Sequence, residues 1–199
     1  MSSIYSPSKE EAKDLLKPYA QFFYDAIVGG FDDYKLNDSL RGHIHDNCVK
    51  SNLVRSYVLS RIKQVVSQHP ELKFKEQKRM FAIIIADKVI LRFKKLNNLF
   101  RSENIKTKQV AAFRNRSLTF QGVKALPVDA GWRVDDFYSG IEDVHFVCPD
   151  GKGNLWRIPL HDLSIQKKQV AIFPVEEQDI ITVVTVKTEV ANANRKAAN

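Results

Sequence analysis

The sequence has few cysteines, few glycines and no long apolar run. Its 199 residues include two cysteines, Cys48 and Cys148, so we expect reduced thiols and no disulfide framework. No apolar run approaches the roughly 20 residues that a membrane-spanning helix needs, and the first residues do not have the pattern of a signal peptide. These absences favour a cytoplasmic globular protein that does not enter the membrane.

Motifs for catalysis and cofactor binding are also missing. The sequence contains no phosphate-cradling glycine loop, no Gly-x-Ser-x-Gly elbow and no Cys-x-x-Cys pair. His43 and His45 are two residues apart, so on a helix they would point in directions about 200° apart and could not easily share a metal ion. We therefore expect no enzyme activity, no cofactor and no metal site.

One acidic group keeps a divalent-metal hydrolase or nuclease open as the weakest alternative. Such an enzyme holds its metal ion with two or three carboxylates beside a lysine. No Glu-x-Lys follows the acids here, and acidic turns at a solvated sheet edge are the simpler interpretation. The group consists of Asp135, Asp136, Glu142 and Asp143.

The first third of the chain has the pattern of two helices. A capping box at Ser8–Glu11 should start the first helix, which Pro18 should kink or divide and Gly29-Gly30 should end. A second helix should begin near residue 38 and run towards Gln68, where a histidine and a proline stop it. The apolar faces of this helical hairpin should pack on a sheet.

From residue 79 onward the pattern is mainly that of β-strands. Met80–Ala86 is apolar on both faces, and Val89–Lys95 alternates. The turn between them at Asp87-Lys88 lacks the favoured glycine. A short helix at roughly Thr107–Phe113 follows. Further strands are expected over Trp132–Tyr138, Val144–Cys148, Leu155–Leu160, Val170–Phe173 and Ile180–Val186.

Tight turns between consecutive strands indicate an antiparallel arrangement rather than a doubly wound parallel sheet. The predicted fold class is α+β, with an N-terminal helical hairpin packed on a mostly antiparallel β-sheet or meander. We expect one globular domain over residues 1–190, with a helical part over 1–70 and a mainly β part over 79–190. Residues 191–199 should form a disordered tail.

Charge is distributed unevenly along the chain, whose net charge is +8. Between Lys50 and Lys124 there are 18 lysines and arginines against four acids, a balance of +14, so the remaining residues carry −6. A basic middle between acidic flanks indicates a polyanionic partner or an acidic protein, and the charge alone does not choose between them. A solvated surface that keeps the protein soluble is the simplest alternative.

The densest run of cations lies between Arg79 and Arg116. The strand over Val89–Lys95 should present basic side chains on one face, and a basic loop and the short helix follow it. This arrangement could follow a phosphate backbone of DNA or RNA without reading bases, because no helix-turn-helix signature is present. The predicted phosphate contacts are Arg92, Lys94, Lys95, Lys106, Lys108, Arg114 and Arg116.

Aromatic residues of the C-terminal half are the candidate contacts to a protein partner. Aromatic side chains dominate the energetics of interfaces when they are exposed before binding. The alternative is ordinary core packing, which we expect for at least two of the four. The candidates are Trp132, Phe137, Tyr138 and Trp156.

Two segments carry a resemblance to known proteins. Leu91–Phe113 (LRFKKLNNLFRSENIKTKQVAAF) and Val144–Leu160 (VHFVCPDGKGNLWRIPL) resemble small bacterial proteins of toxin–antitoxin or phage-defence gene pairs, whose neighbour is often an IrrE-type metallopeptidase-like protein. The similarity covers less than half of the chain and transfers no functional residue. It implies an antitoxin-like protein that binds a cognate partner, which is the leading hypothesis, ahead of nucleic-acid binding.

Overall fold

The computed structural model of this chain describes residues 7–102 and 107–163. The strands expected over residues 170–173 and 180–186, and the tail expected from residue 191, lie outside the described residues. Lys106 also lies outside them.

Three helices form the N-terminal part: α1 is Lys9–Leu16, α2 is Ala20–Asp38 and α3 is Asn47–Gln68. The capping box is confirmed, since Glu11 N donates to Ser8 Oγ at 3.1 Å and Ser8 N donates to the Glu11 carboxylate at 2.8 Å. Pro18 lies in a 3-10 turn between α1 and α2. A proline there divides the helix because it lacks the N–H that the α-helical ladder needs.

The prediction that Gly29-Gly30 ends the first long helix is wrong. Helix α2 continues through both glycines to Asp38. A Cβ added to Gly30 would lie 2.6 Å from the backbone nitrogen of Val58 in α3. This glycine therefore permits a close approach of two helix backbones, and tertiary packing outweighs the signal for a helix end.

Helix α3 starts later than the sequence predicted. A 3-10 turn over residues 39–41 follows α2, and the N-cap of α3 is Asp46, whose carboxylate accepts a hydrogen bond of 2.8 Å from Val49 N. The end at Gln68 agrees with the prediction. The helices α2 and α3 form the predicted hairpin, and their apolar faces pack on one face of the sheet.

Six strands form one sheet in the order of the sequence. All neighbouring pairs are antiparallel except β3 and β4, which are parallel. This confirms an α+β fold with a mostly antiparallel sheet; the parallel pair and the first strand were not foreseen. The strands are β1 Leu72–Gln77, β2 Met80–Ile85, β3 Val89–Lys95, β4 Leu126–Val134, β5 Ile141–Asp150 and β6 Gly153–Pro159.

A parallel pair requires a crossover, which the structure describes over residues 96–102 and 107–125. This segment contains helix α4, Lys108–Arg114, whose N-cap Thr107 accepts a hydrogen bond of 3.1 Å from Val110 N. Phe113 of α4 and Phe120 pack against the sheet face opposite to α2 and α3. The sheet is therefore covered on both faces, which explains why the β2 run is apolar throughout.

Candidate anion-binding cleft

The pairing between β2 and β3 stops before either strand ends. Their antiparallel register covers only Ile85–Val89, Ile84–Ile90 and Ile83–Leu91. Beyond that point, β2 stays paired with β1 and β3 stays paired with β4. The separation leaves an opening in the sheet, with the start of β2 on one side and the end of β3 on the other.

A cleft of ≈ 490 Å³ occupies this opening. Its walls come from the first half of α3, the β1–β2 turn, the end of β3 and the start of α4. No aspartate or glutamate is among the lining residues in the part of the chain that the structure describes. We call this space the basic cleft; its cations are Arg55, Lys78, Arg79, Arg92, Lys94 and Lys95.

Lys94 lies on the cleft wall and is half-buried. Burial and the nearby charges of Arg55 and Arg92 together lower the pKa of its ammonium group to about 8, against the opposing effect of Asp129. Within the described ranges, Lys94 has no hydrogen bond or ion pair with another residue. A cation in this environment is destabilised by burial and by its positive neighbours. An anionic ligand that neutralises it would relieve this cost, which would add to the ligand's binding free energy.

Arg55 approaches the same space from α3. Burial and the charge of Arg92 lower the pKa of its guanidinium. Its Nε is buried and finds no acceptor among residues 7–102 and 107–163. The guanidinium carbon lies 5.7 Å from the centre of the Phe81 ring, a cation–π contact that orients the side chain without neutralising it.

Lys95 is held at the cleft by an aromatic partner. Its Nζ donates to the hydroxyl of Tyr138 at 2.7 Å and lies 4.6 Å from the ring centre. That hydroxyl in turn donates to the carbonyl of Asn47 at 3.2 Å and lies 2.8 Å from the hydroxyl of Ser51. The network fixes Lys95 through neutral groups, so its charge stays available to a ligand.

The rim of the cleft is a strained turn. Lys78 and Arg79, the two residues between β1 and β2, have φ angles of 50° and 63°. Two-residue turns with positive φ at both positions favour asparagine and glycine, because a side chain at positive φ is costly. Here both positions carry exposed cations instead, which places two positive charges at the mouth of the basic cleft.

Arg92 lines the cleft but does not project into it as a predicted phosphate contact would. The residue is 1% exposed, and it pairs with Asp129 of the neighbouring strand through Nε at 2.9 Å and Nη2 at 2.8 Å. The guanidinium also stacks on Phe113, with 3.5 Å to the ring centre. Because Asp129 neutralises its charge inside the protein, Arg92 stabilises the fold, and we do not propose it as a phosphate contact.

The other predicted phosphate contacts lie away from the basic cleft or outside the described residues. Lys108 is exposed at the start of α4 but is not part of the cleft wall. Arg114 donates to the carbonyl of Gly151 at 2.8 Å, and Arg116 pairs with Asp150 at 3.2 Å. Of the seven predicted residues, the structure brings Arg92, Lys94 and Lys95 to the cleft, and the seventh, Lys106, is not described.

Three of the four candidate partner-binding aromatics belong to the core. Trp132, Tyr138 and Trp156 are buried, in agreement with the expectation for at least two of them. Phe137 is 89% exposed at the turn between β4 and β5. It is consequently the member of this set that remains available to a protein partner.

The acidic group near this turn is engaged by neighbouring residues. Hydrogen bonds from the side chain and the backbone of Ser139 lower the pKa of the Asp135 carboxyl group. Arg133 donates to Glu142 at 2.7 Å and to Asp143 at 3.0 Å. No group of three or more metal-ligating side chains is found within the described residues. Three of the four acids are thus held by hydrogen bonds or ion pairs within the protein.

The sequence-based hypothesis missed Arg55, Lys78 and Arg79. Arg55 belongs to a helix that was separated from the basic stretch by the undetected strand β1. In that strand, LKFKEQ, apolar residues alternate with polar ones only at Leu72 and Phe74. This alternation is too short to predict a strand, so the two cations after it were not recognised as a hairpin turn. The polar pair between two strand-like runs was the available signal.

Comparisons with known proteins do not add to this description. No family model, no curated protein and no solved structure matches the chain. Across the residues placed by the structure, none of the helices has both the length and the apolar character needed to cross a bilayer. The basic cleft is therefore the feature on which a function can be based.

Proposed function

We propose that the protein binds nucleic acid through phosphate groups that enter the basic cleft. The observation that carries this proposal is the convergence of five cations, with no lining carboxylate among the described residues, on one space of ≈ 490 Å³. Phosphate contacts dominate the affinity of nucleic-acid binding proteins and supply most of the binding that is independent of sequence. The five cations are Arg55, Lys78, Arg79, Lys94 and Lys95.

The ligand should be single-stranded. A double helix is too wide to enter a cleft of this size, whereas a flexible single strand can direct its phosphates inward. Phe81 on the cleft wall is half-buried and offers apolar surface beside the cations. Proteins that bind single strands without sequence preference combine a positively charged groove with apolar and aromatic surface of this kind.

The test is a salt titration with a matched pair of double variants. Binding of a fluorescent single-stranded oligonucleotide is followed by anisotropy from about 50 mM to about 200 mM salt. Lys78→Ala with Arg79→Ala removes two cleft charges at exposed positions, so the slope of log K against log salt should fall by about 1.4. Lys75→Ala with Lys124→Ala removes two exposed charges outside the cleft and should leave the slope nearly unchanged.

Two results would overturn this proposal. One is the absence of salt-dependent binding to any single-stranded DNA or RNA. The other is an equal loss in both double variants, which would mean that charge over the whole surface, and not the basic cleft, attracts the oligonucleotide.

A second candidate function is antitoxin-like binding of a cognate protein, and the exposure of Phe137 favours it. The turn that carries Phe137 contacts the end of α2, where Lys35 Nζ donates to the carbonyl of Ser139 at 3.0 Å. The last turn of α2 and the connection to α3 add further exposed apolar side chains, so apolar side chains are exposed at this end of the hairpin. These side chains are Leu36, Leu40 and Ile44.

Co-purification with the product of the neighbouring gene tests this second candidate. Phe137→Ser should reduce co-purification strongly, because an exposed aromatic anchor contributes much of an interface's binding energy. Leu155→Ser, at an exposed apolar position on β6, is the control and should have little effect. Equal recovery of the neighbouring protein with both variants would rule out Phe137 as the anchor.

A further inference from the structure

The cleft cations converge on one partly open cleft instead of lying along a track. They come from three separate places in the fold: α3 supplies Arg55, the β1–β2 turn supplies two, and the end of β3 supplies Lys94 and Lys95. A chain of phosphodiesters, each with a single charge, is best followed by cations spaced along a groove. Cations that converge from several elements suit a compact group that carries more than one negative charge.

The inner cations have the strongest need for such a group. The buried Nε of Arg55 lacks an acceptor within the described part of the chain, and the half-buried ammonium of Lys94 likewise has no partner there. A terminal phosphate carries a charge of about −1.5 to −2 at neutral pH and presents three strong acceptor oxygens. A phosphodiester offers one charge and two free oxygens, so it would satisfy fewer of these donors.

The rest of the cleft wall suits the nucleoside that follows a terminal phosphate. Neutral hydrogen-bonding side chains line it beside the apolar surface of Met80, Phe81 and Val110. Hydroxyl and amide groups can bond to sugar and base, and the apolar side chains can pack against a base or ribose face. The neutral polar residues are Asn47, Ser51, Asn52, Thr107 and Gln109.

We propose that the basic cleft binds the terminal phosphate of a nucleotide or nucleic-acid strand, in preference to internal phosphodiesters. This inference rests on the proposed function and specifies which part of the nucleic acid enters. The same chemistry is present in a strand end and in a free nucleotide, so the experiment must distinguish these two sources. It must also distinguish a terminal phosphate from an inorganic anion.

Calorimetric titration of the full chain provides the test. Oligonucleotides of one sequence are compared with a 5′-phosphate, a 3′-phosphate or hydroxyls at both ends, alongside a nucleoside triphosphate and inorganic phosphate. A terminally phosphorylated strand should bind at least about 10-fold more tightly than the strand with hydroxyl ends, because it adds charge-assisted hydrogen bonds. Tighter binding of the free nucleotide than of any strand would support the cleft chemistry and overturn the nucleic-acid proposal.

Proton uptake gives a second readout that a merely structural role would not produce. Since the Lys94 pKa is lowered to about 8, the side chain is about half protonated at pH 8, and a bound dianion should complete its protonation. The apparent enthalpy at pH 8 should therefore depend on the ionisation enthalpy of the buffer. Lys94→Met should abolish both this dependence and the preference for a terminal phosphate, whereas Lys124→Met, at an exposed position outside the cleft, should preserve both.

The unfavourable outcomes are distinct. Equal affinity for phosphorylated and hydroxyl-ended strands would overturn the terminal-phosphate inference and leave the proposed function standing. Competition by inorganic phosphate as strong as that by the phosphorylated strand would overturn the inference as well, because it would mean that the cleft does not recognise the nucleoside. Absence of binding by every strand and by the nucleotide would overturn both proposals.

Discussion

The cations of the middle third fall into two groups whose surroundings differ. In the first group, side chains from β3, the end of α4 and the residues just after it are bonded by residues later in the chain: Arg92 by Asp129 of β4, Arg114 by the carbonyl of Gly151 in the β5–β6 turn, and Arg116 by Asp150 of β5. In the second group, the cleft cations other than Arg92 form no ion pair among the residues described, and no carboxylate there lines the cleft. Both groups look alike in the sequence, as parts of one basic stretch.

The difference shows how tertiary structure sorts charge. Asp129 of β4 and Asp150 of β5 come later in the sequence, and the fold brings them next to Arg92 of β3 and Arg116, which follows α4. The opening between β2 and β3 receives no such acid within the described residues. Under the proposed function, a basic stretch can bind an anion only where the fold places no counter-charge beside its cations.

The largest expected effect is on the paired side of this comparison. Asp129→Ala would leave the Arg92 charge buried without a partner, since the two side chains are 3% and 2% exposed. Removing one member of a buried ion pair costs about 3 to 5 kcal/mol of unfolding free energy. Urea denaturation measures the loss, and Asp150→Ala, which frees the more exposed Arg116, should cost less than about 1 kcal/mol.

A double variant separates the ion pair from the packing around it. Arg92→Met with Asp129→Asn removes both charges and keeps most of the volume, so it should recover much of the stability that Asp129→Ala loses. A destabilisation by Asp129→Ala no larger than that by Asp150→Ala would contradict the division into buried structural cations and available cations.

The next effect concerns the available side of the comparison and depends on pH. The unfolded chain keeps the Lys94 proton up to the ordinary pKa of 10.5, whereas the folded protein releases it at about 8. The unfolded state therefore binds more protons between pH 8 and 10.5, so the free energy of unfolding should rise through that window. The lowered pKa of Lys94 corresponds to a cost on the order of 3 kcal/mol for keeping this lysine charged in the folded protein at pH 7.

Lys94→Met isolates this contribution. The variant should be more stable than the native protein at pH 7, and the difference between them should vanish as the pH approaches 10.5. Lys124→Met, at an exposed position, serves as the reference for replacing a lysine by methionine. A stability difference that does not change between pH 8 and 10.5 would show that Lys94 is not destabilised by burial.

A smaller effect comes from the two strained hairpin turns. Arg79 at the cleft rim has a φ of 63°, and Ala86, in the turn between β2 and β3, has a φ of 51°. Replacing either by glycine should stabilise the protein by about 0.5 to 1 kcal/mol, because glycine adopts positive φ without a steric cost. Arg79→Gly should also weaken oligonucleotide binding several-fold, whereas Ala86→Gly should leave binding unchanged.

The two turns should differ in one respect. Arg79→Gly should raise the stability and lower the affinity for the oligonucleotide, whereas Ala86→Gly should raise the stability alone. A rim residue that is favourable for binding and unfavourable for folding indicates a site where local strain is tolerated for function. Equal binding by Arg79→Gly and Ala86→Gly would remove Arg79 from the candidate site.

The fold class was accessible from sequence because local patterns and packing agree over most of the chain. The capping box, the division at Pro18 and the strands β2 and β3 all follow from periodicity and backbone chemistry. The errors lie where packing overrides a local signal. Gly29-Gly30 has the signature of a helix end, but the approach of α3 at Val58 requires glycine inside a continuing helix.

The candidate site was only partly accessible for a different reason. Its cations come from α3, a hairpin turn and β3, and only Lys94 and Lys95 belonged to the predicted contacts that remain available. The cleft exists because β2 and β3 pair over only three residues each. Neither strand carries a sequence signal for where this pairing ends. The pairing of Arg92 with Asp129 depends on the parallel register of β3 and β4. A long connection separates these two strands in the sequence, so neither their pairing nor its register could be predicted from local patterns.

The smallest expected effect tests the boundary between the two groups directly. Arg116→Gln and Arg79→Gln remove the same charge, yet Arg116 pairs with Asp150 at 3.2 Å outside the basic cleft, whereas Arg79 lies on its rim. An exposed ion pair contributes at most about 1 kcal/mol, so Arg116→Gln should change the unfolding free energy little. Its effect on the salt slope of single-strand binding should be close to zero, compared with a loss of about 0.7 for Arg79→Gln. Equal slope changes in anisotropy titrations would place Arg116 among the phosphate contacts, and the binding surface would then extend along α4 as the sequence alone had indicated.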